Sequence, residues 1–182
     1  MALDTLNRQI EALRQQATDQ ARSYRNERAA IENDRRLTLE GKEELLTPLS
    51  ARTKATLESL GKQEDKLLKD RMESLQSSLV TKLGSTSTDI IAMRDAEDRA
   101  DRLENGEEAA RVLERAIRSG DRSLAHAILR RGLEAGWRDV VNQATTAFPE
   151  AADTLRDLTE VEQALNGMGA ILGRAMHYNI GL

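Results

Sequence analysis

Only two side chains in this 182-residue sequence, His126 and His177, have an ordinary pKa suited to moving protons near neutrality, and there is no cysteine. Neither histidine has a second histidine or a carboxylate three or four residues away, the spacing that puts two metal ligands on one helix face. The Glu-x-x-His pairs that hold metals inside helical bundles are absent, as are a glycine-rich phosphate loop and a GxSxG elbow. Neighbouring carboxylates such as Glu43 with Glu44, or Glu64 with Asp65, fall in helix-forming stretches where a solvated acidic face is the simpler account. The chain therefore reads as a non-enzyme, with no catalytic residues, no metal and no cofactor.

Arg111, Arg115, Arg118 and Arg122 recur at steps of three or four and could grip phosphate or an acidic partner. Glu107, Glu108, Glu114 and Asp121 interleave with them, so i,i+4 pairing along a solvated face is expected instead. The net charge of −4 and the aromatic content of 2% argue the same way. Non-specific nucleic-acid binding needs surplus positive charge, and single-strand binding needs aromatic platforms. Nucleic acid is not an expected partner. The acidic cluster at 95–108, broken by Arg99 and Arg102, reads as another solvated face.

The most unusual local sequence is Gly-Met-Gly-Ala-Ile-Leu-Gly at 167–173. Gly169 and Gly173, four apart, would let a second helix approach closely, and Ile171, Leu172 and Met176 add apolar surface beside them. The segment is too short to span a bilayer. A tight helix crossing, within or between subunits, is expected. The tail 176–182 reads as a short docking tail or a frayed end.

Everything that could position these residues is helical. Leu6, Ile10, Leu13, Ala17 and Tyr24 belong to a seam with steps of three and four, interrupted by Gln20 and Glu27, in a helix from about Asp4 to 33–36. A short polar turn follows, with Thr38 as a good N-cap. A second helix over 38–83 would be about 69 Å long. Its stripe runs from Leu46 through Leu57, Leu60, Glu64 and Leu68 to Leu83. Gly61 should cost it roughly 1 kcal/mol relative to alanine, and Pro48 is expected to bend it. The short connection predicts an antiparallel hairpin. Because the second helix is the longer, its far end is expected to project and to need another partner.

The run Gly-Ser-Thr-Ser-Thr at 84–88 reads as a linker between a hairpin at 1–83 and a C-terminal helical domain at 89–182. Four shorter helices are expected there, with stops at Gly106, Gly120, Gly136 and Phe148-Pro149. A last helix should begin near Glu150 and carry Leu155, Leu158, Val161, Leu165, Met168, Leu172 and Met176 on one face for seven turns. The fold class is all-α: a long, coiled-coil-like antiparallel hairpin followed by a small helical bundle. The N-terminus lacks the basic and apolar regions of a signal peptide, so a cytoplasmic or virion location is expected.

The stretch from Asp34 through Arg36, Thr38 and Gly41 to Lys42, set between two Arg-, Glu- and Ala-rich helices, resembles small helical virion-assembly and structural proteins of tailed bacteriophages. That resemblance implies a structural or scaffold-like role in a particle. The expected function is non-enzymatic assembly by helix–helix self-association, with homo-oligomers or other protein subunits as partners. The expected interface comprises Leu68, Leu75, Leu79 and Leu83 of the second helix with Gly169, Ile171, Leu172, Gly173 and Met176 of the last. The alternative is a monomeric helical adaptor that binds one protein through its charged faces.

Overall fold

A computed structural model describes residues 2–82 and 90–180, and among them are eight α-helices and no strand. α1 (Ala2–Asn33) and α2 (Leu39–Lys82) pack against each other as a hairpin. Local chemistry sets its turn. Asp34 Oδ1 accepts the Arg36 amide at 2.9 Å, Thr38 Oγ1 accepts the Gly41 amide at 3.1 Å, and Lys42 Nζ donates to the Glu32 carbonyl at 2.6 Å. Otherwise unpaired groups at both helix ends are thereby satisfied. α2 continues through Pro48 and Gly61 as one helix.

The chain forms two compact units, and the division falls inside helices. One unit is Met1–Asp70 with Ala164–Leu182; the other is Arg71–Gln163. The expected linker at 84–88 lies outside the described residues, and packing does not divide the chain into 1–83 and 89–182. The last turns of α2 belong with the second unit, while the C-terminal segment returns to the hairpin.

This grouping corrects one expected interface. Leu68, Leu75 and Leu79 are buried within the single chain, so they are not left over for a partner; Leu83 lies outside the described residues. The physical reason for the second unit is visible at Leu79, which lines one cavity with Met93, His126 and Leu133. Arg71 and Lys82 of α2 also reach Asp157 at 3.5 Å and Thr154 at 2.7 Å.

The second unit is built around α5 (Arg122–Glu134), which packs against α3 (Ile90–Asp101), α4 (Gly106–Ser119) and α6 (Arg138–Ala147). Ala125, Ala127 and Gly132 keep α5 slim enough for this, and Leu124, Ile128 and Leu129 supply the apolar core. Its ends are locally encoded. Asn105 and Asp121 cap the amides of Glu108 and Leu124, and Gly120 and Gly136 take the left-handed conformation at φ 72° and 69°. A 3-10 turn, Pro149–Ala151, leads into α7 (Ala152–Asn166).

A Cβ at Gly132 would stand 2.7 Å from Val140 Cγ1, and Val140 is itself fully buried. Gly132→Ala should therefore lower stability by about 1–3 kcal/mol through overpacking, against the usual helix gain from alanine. Thermal unfolding of the variant checks this.

The expected seven-turn C-terminal helix is broken. α7 stops at Asn166, Gly167 is extended, and α8 runs Met168–His177.

Candidate interaction surface

Glu64 sits in the apolar stripe of α2 with no exposed surface. A buried carboxylate is costly unless paired and fully hydrogen-bonded, and it is both. Arg14 of α1 grips it with two parallel bonds, Nε–Oε2 at 3.1 Å and Nη2–Oε1 at 2.7 Å. The Tyr178 hydroxyl donates to Oε2 at 2.5 Å. The bond to Glu64 in turn holds the Arg14 guanidinium above its ordinary pKa.

Tyr178 has a prepared seat. A Cβ at Gly61 would lie 3.2–3.3 Å from the tyrosine ring, so the glycine that weakens the helix also makes room for it. Ile180 and Tyr178 pack beside Leu67 on a core of Leu13, Ala17, Leu57 and Leu60. Tyr178 and Ile180 of the expected tail dock, and their dock is the hairpin of their own chain.

Burial, and then the bond to Glu64, raises the Tyr178 pKa well above the ordinary 10.0. The stabilisation is complete below the ordinary value and is lost as pH rises through the folded one, so docking weakens only in strongly alkaline solution. An ultraviolet titration should show a late tyrosinate step that Tyr178→Phe removes.

Arg174 explains why α7 ends where it does. Its guanidinium turns back to donate to the carbonyl of Ala164, and to that of Leu165 at 2.6 Å, with Asp65 Oδ1 at 3.2 Å from Nε. Two carbonyls that a continuing helix would satisfy are thus satisfied by a side chain.

These anchors turn the polar side of α8 inward and leave the other side bare. Met168, Ile171, Leu172 and Met176 are 82%, 47%, 62% and 73% exposed, and no residue of α8 is fully buried. With exposed Ala175 they follow one another at steps of three, one, three and one, a single helical stripe. Nothing lies within 4 Å of where a Cβ would stand at Gly169 or Gly173. Arg174 and His177 are the only side chains of α8 that can carry charge, and Arg174 is turned inward.

Of the expected interface residues, the structure brings Gly169, Ile171, Leu172, Gly173 and Met176 together on this one helix. The expected interface left out Met168, although the stripe of the last helix included it, and Ala175; the anchoring roles of Arg14, Gly61, Glu64, Arg174 and Tyr178 were not foreseen. The available signal was Glu64, a charge at an apolar stripe position beside Leu60 and Leu68, which demands a buried cation.

His126 is buried, and burial, with Arg130 nearby and Glu97 opposing, lowers its pKa. It lines a cavity of 220 Å³ with Glu73, Gln76, Glu97 and Arg130, and Arg130 is already paired with Glu97 at 3.4 Å. A depressed histidine contributes stability that is present above its unfolded pKa and lost as pH falls through the window below about 6.5. The second unit should therefore weaken in that window, and His126→Gln should flatten the pH dependence of its unfolding.

Two of the arginines of α4 pair along their own helix, Arg111 with Glu107 at 3.3 Å and Arg118 with Glu114 at 3.9 Å. Among the described residues, no helix is long and apolar enough to cross a membrane, and no group of three acidic or histidine ligands could hold a metal. Compared with protein families, with characterised proteins and with solved structures, the chain matches none.

Proposed function

We infer that this protein is a non-enzymatic assembly component that associates with further copies of itself through the exposed face of α8. One observation carries the reading: polar anchors at buried Glu64 and at Arg174 hold a helix with its apolar stripe facing solvent. The stripe amounts to a patch on the order of 500 Å², a size that on a monomer usually marks an interaction site. Two such patches facing each other would bury about 1,000 Å², enough for a specific if modest interface.

A second copy is the occupant the surface suits. The stripe carries no charge, so two copies meet without like-charge repulsion, and Gly169 with Gly173 lets the backbones approach. The turn that resembles tailed-phage virion proteins serves here as a helix start, and a place in a virus particle rests on that resemblance alone.

Sedimentation velocity over a wide concentration range tests the reading. The parent chain should form dimers or larger species. Ile171→Asp with Leu172→Asp should be monomeric and equally helical, since both residues are exposed. A parent chain that stays a 20.2 kDa monomer at every concentration would sink self-association and favour the monomeric adaptor.

A further inference from the structure

We propose that two copies join by exchanging α8: Gly167 opens, α7 and α8 merge into one helix over 152–177, and Tyr178 and Ile180 of each copy fill the seat beside Gly61 and Glu64 of the other. The proposal rests on the self-association reading and adds how the copies engage.

The hinge is built for this change. Gly167 has φ −63° and ψ 132°. Its φ is already helical, so one dihedral, ψ, must turn to about −42° to join the helices. The hydrogen bonds are nearly conserved as it turns. In a continuous helix the carbonyls of Ala164 and Leu165 accept from the amides four residues on, at Met168 and Gly169. In the folded-back form the two guanidinium nitrogens of Arg174 occupy those places. Opening exchanges one pair of bonds for the other.

The side-chain pattern fits the joined form. Leu158, Val161, Leu165, Met168, Leu172 and Met176 follow at steps of three, four, three, four and four, one stripe running straight through the hinge. The break at Gly167 leaves the last three members without a partner. Joining adds the ten residues of α8, about 15 Å of helix, to the end of α7, and Tyr178 and Ile180 leave their seat. The vacated seat then takes the tail of a second copy with the same contacts, Tyr178 to Glu64 and Ile180 on the core of Leu13, Ala17, Leu57 and Leu60. Exchange of an identical element is a low-cost route to a dimer.

Met168→Pro separates exchange from simple face-to-face pairing. The first position of α8 has no intrahelical acceptor for its amide, and Gly167 is already extended as a residue before proline prefers, so the folded-back form tolerates the change. In the joined helix the ring would meet the carbonyl of Ala164 and remove a bond. Dimerisation should weaken about a hundredfold or more, with helicity unchanged. Met168→Ala, which removes the same side chain and keeps the helix, is the reference: it should weaken dimerisation far less than Met168→Pro. Gly167→Ala should dimerise several-fold more tightly.

Spin labels at Asp153→Cys and His177→Cys, attached to a chain with no other cysteine, give a second readout. Diluted into unlabelled dimer, they should show a distance of about 36 Å, the span of 24 helical residues. If Met168→Pro dimerises as tightly as Met168→Ala, or the 36 Å population is missing from the dimer, exchange is wrong. Loss of dimer in Ile171→Asp with Leu172→Asp would then still leave face-to-face pairing standing. A parent chain that never dimerises overturns both.

Discussion

Arg14→Leu is expected to destabilise the first unit by about 3–5 kcal/mol, because it leaves the carboxylate of Glu64 buried with no cation beside it. The cost lies in the stranded charge rather than in the lost attraction. Arg14→Leu combined with Glu64→Leu should therefore recover most of the loss, since apolar replacements of both partners are often neutral. Tyr178→Phe removes one hydrogen bond to the charged group and should cost less, about 1.5–3 kcal/mol. Chemical denaturation of the three variants orders them. A single Arg14→Leu variant within about 1 kcal/mol of the parent would mean that Glu64 is solvated in solution, and the anchoring of α8 would need another cause.

Leu129→Ala should cost the second unit about 2–5 kcal/mol, the range for emptying a filled core site. Leu129 has no exposed surface, and its helix packs against α3, α4 and α6, so the cavity cannot collapse from a free side. Leu172→Ala makes the opposite case. Its side chain is mostly exposed, so thermal unfolding of the monomer should not move, while association weakens. If Leu172→Ala lowers the unfolding temperature as Leu129→Ala does, α8 is packed against something and is not a free face.

The helices of the second unit were legible in the sequence almost to the residue. Asn105, Asp121, Gly120 and Gly136 act within four residues of their own positions, and such chemistry needs no knowledge of the rest of the fold. The hairpin was legible for the same reason: Thr38 caps the amide of Gly41, and the seam of α1 buries Leu6, Ile10, Leu13, Ala17 and Tyr24. At the candidate surface, the glycines and apolar residues of α8 stood out by composition. Their anchors did not. Glu64 meets Arg14 across 50 positions and Tyr178 across 114, and no local window spans such distances.

By itself, then, the sequence determined which segments are helical, where most of them stop, and which face of each is apolar. Only the tertiary structure decided what covers each face. Periodicity marks Leu75, Leu79, Leu172 and Met176 alike as stripe residues, yet the first two are buried and the last two are exposed. It likewise runs one stripe through Gly167, where the structure stops α7 because Arg174, ten residues past Ala164, takes over the carbonyls. Apolar spacing records that a surface must leave water; which surface it meets depends on contacts the chain makes far along its length.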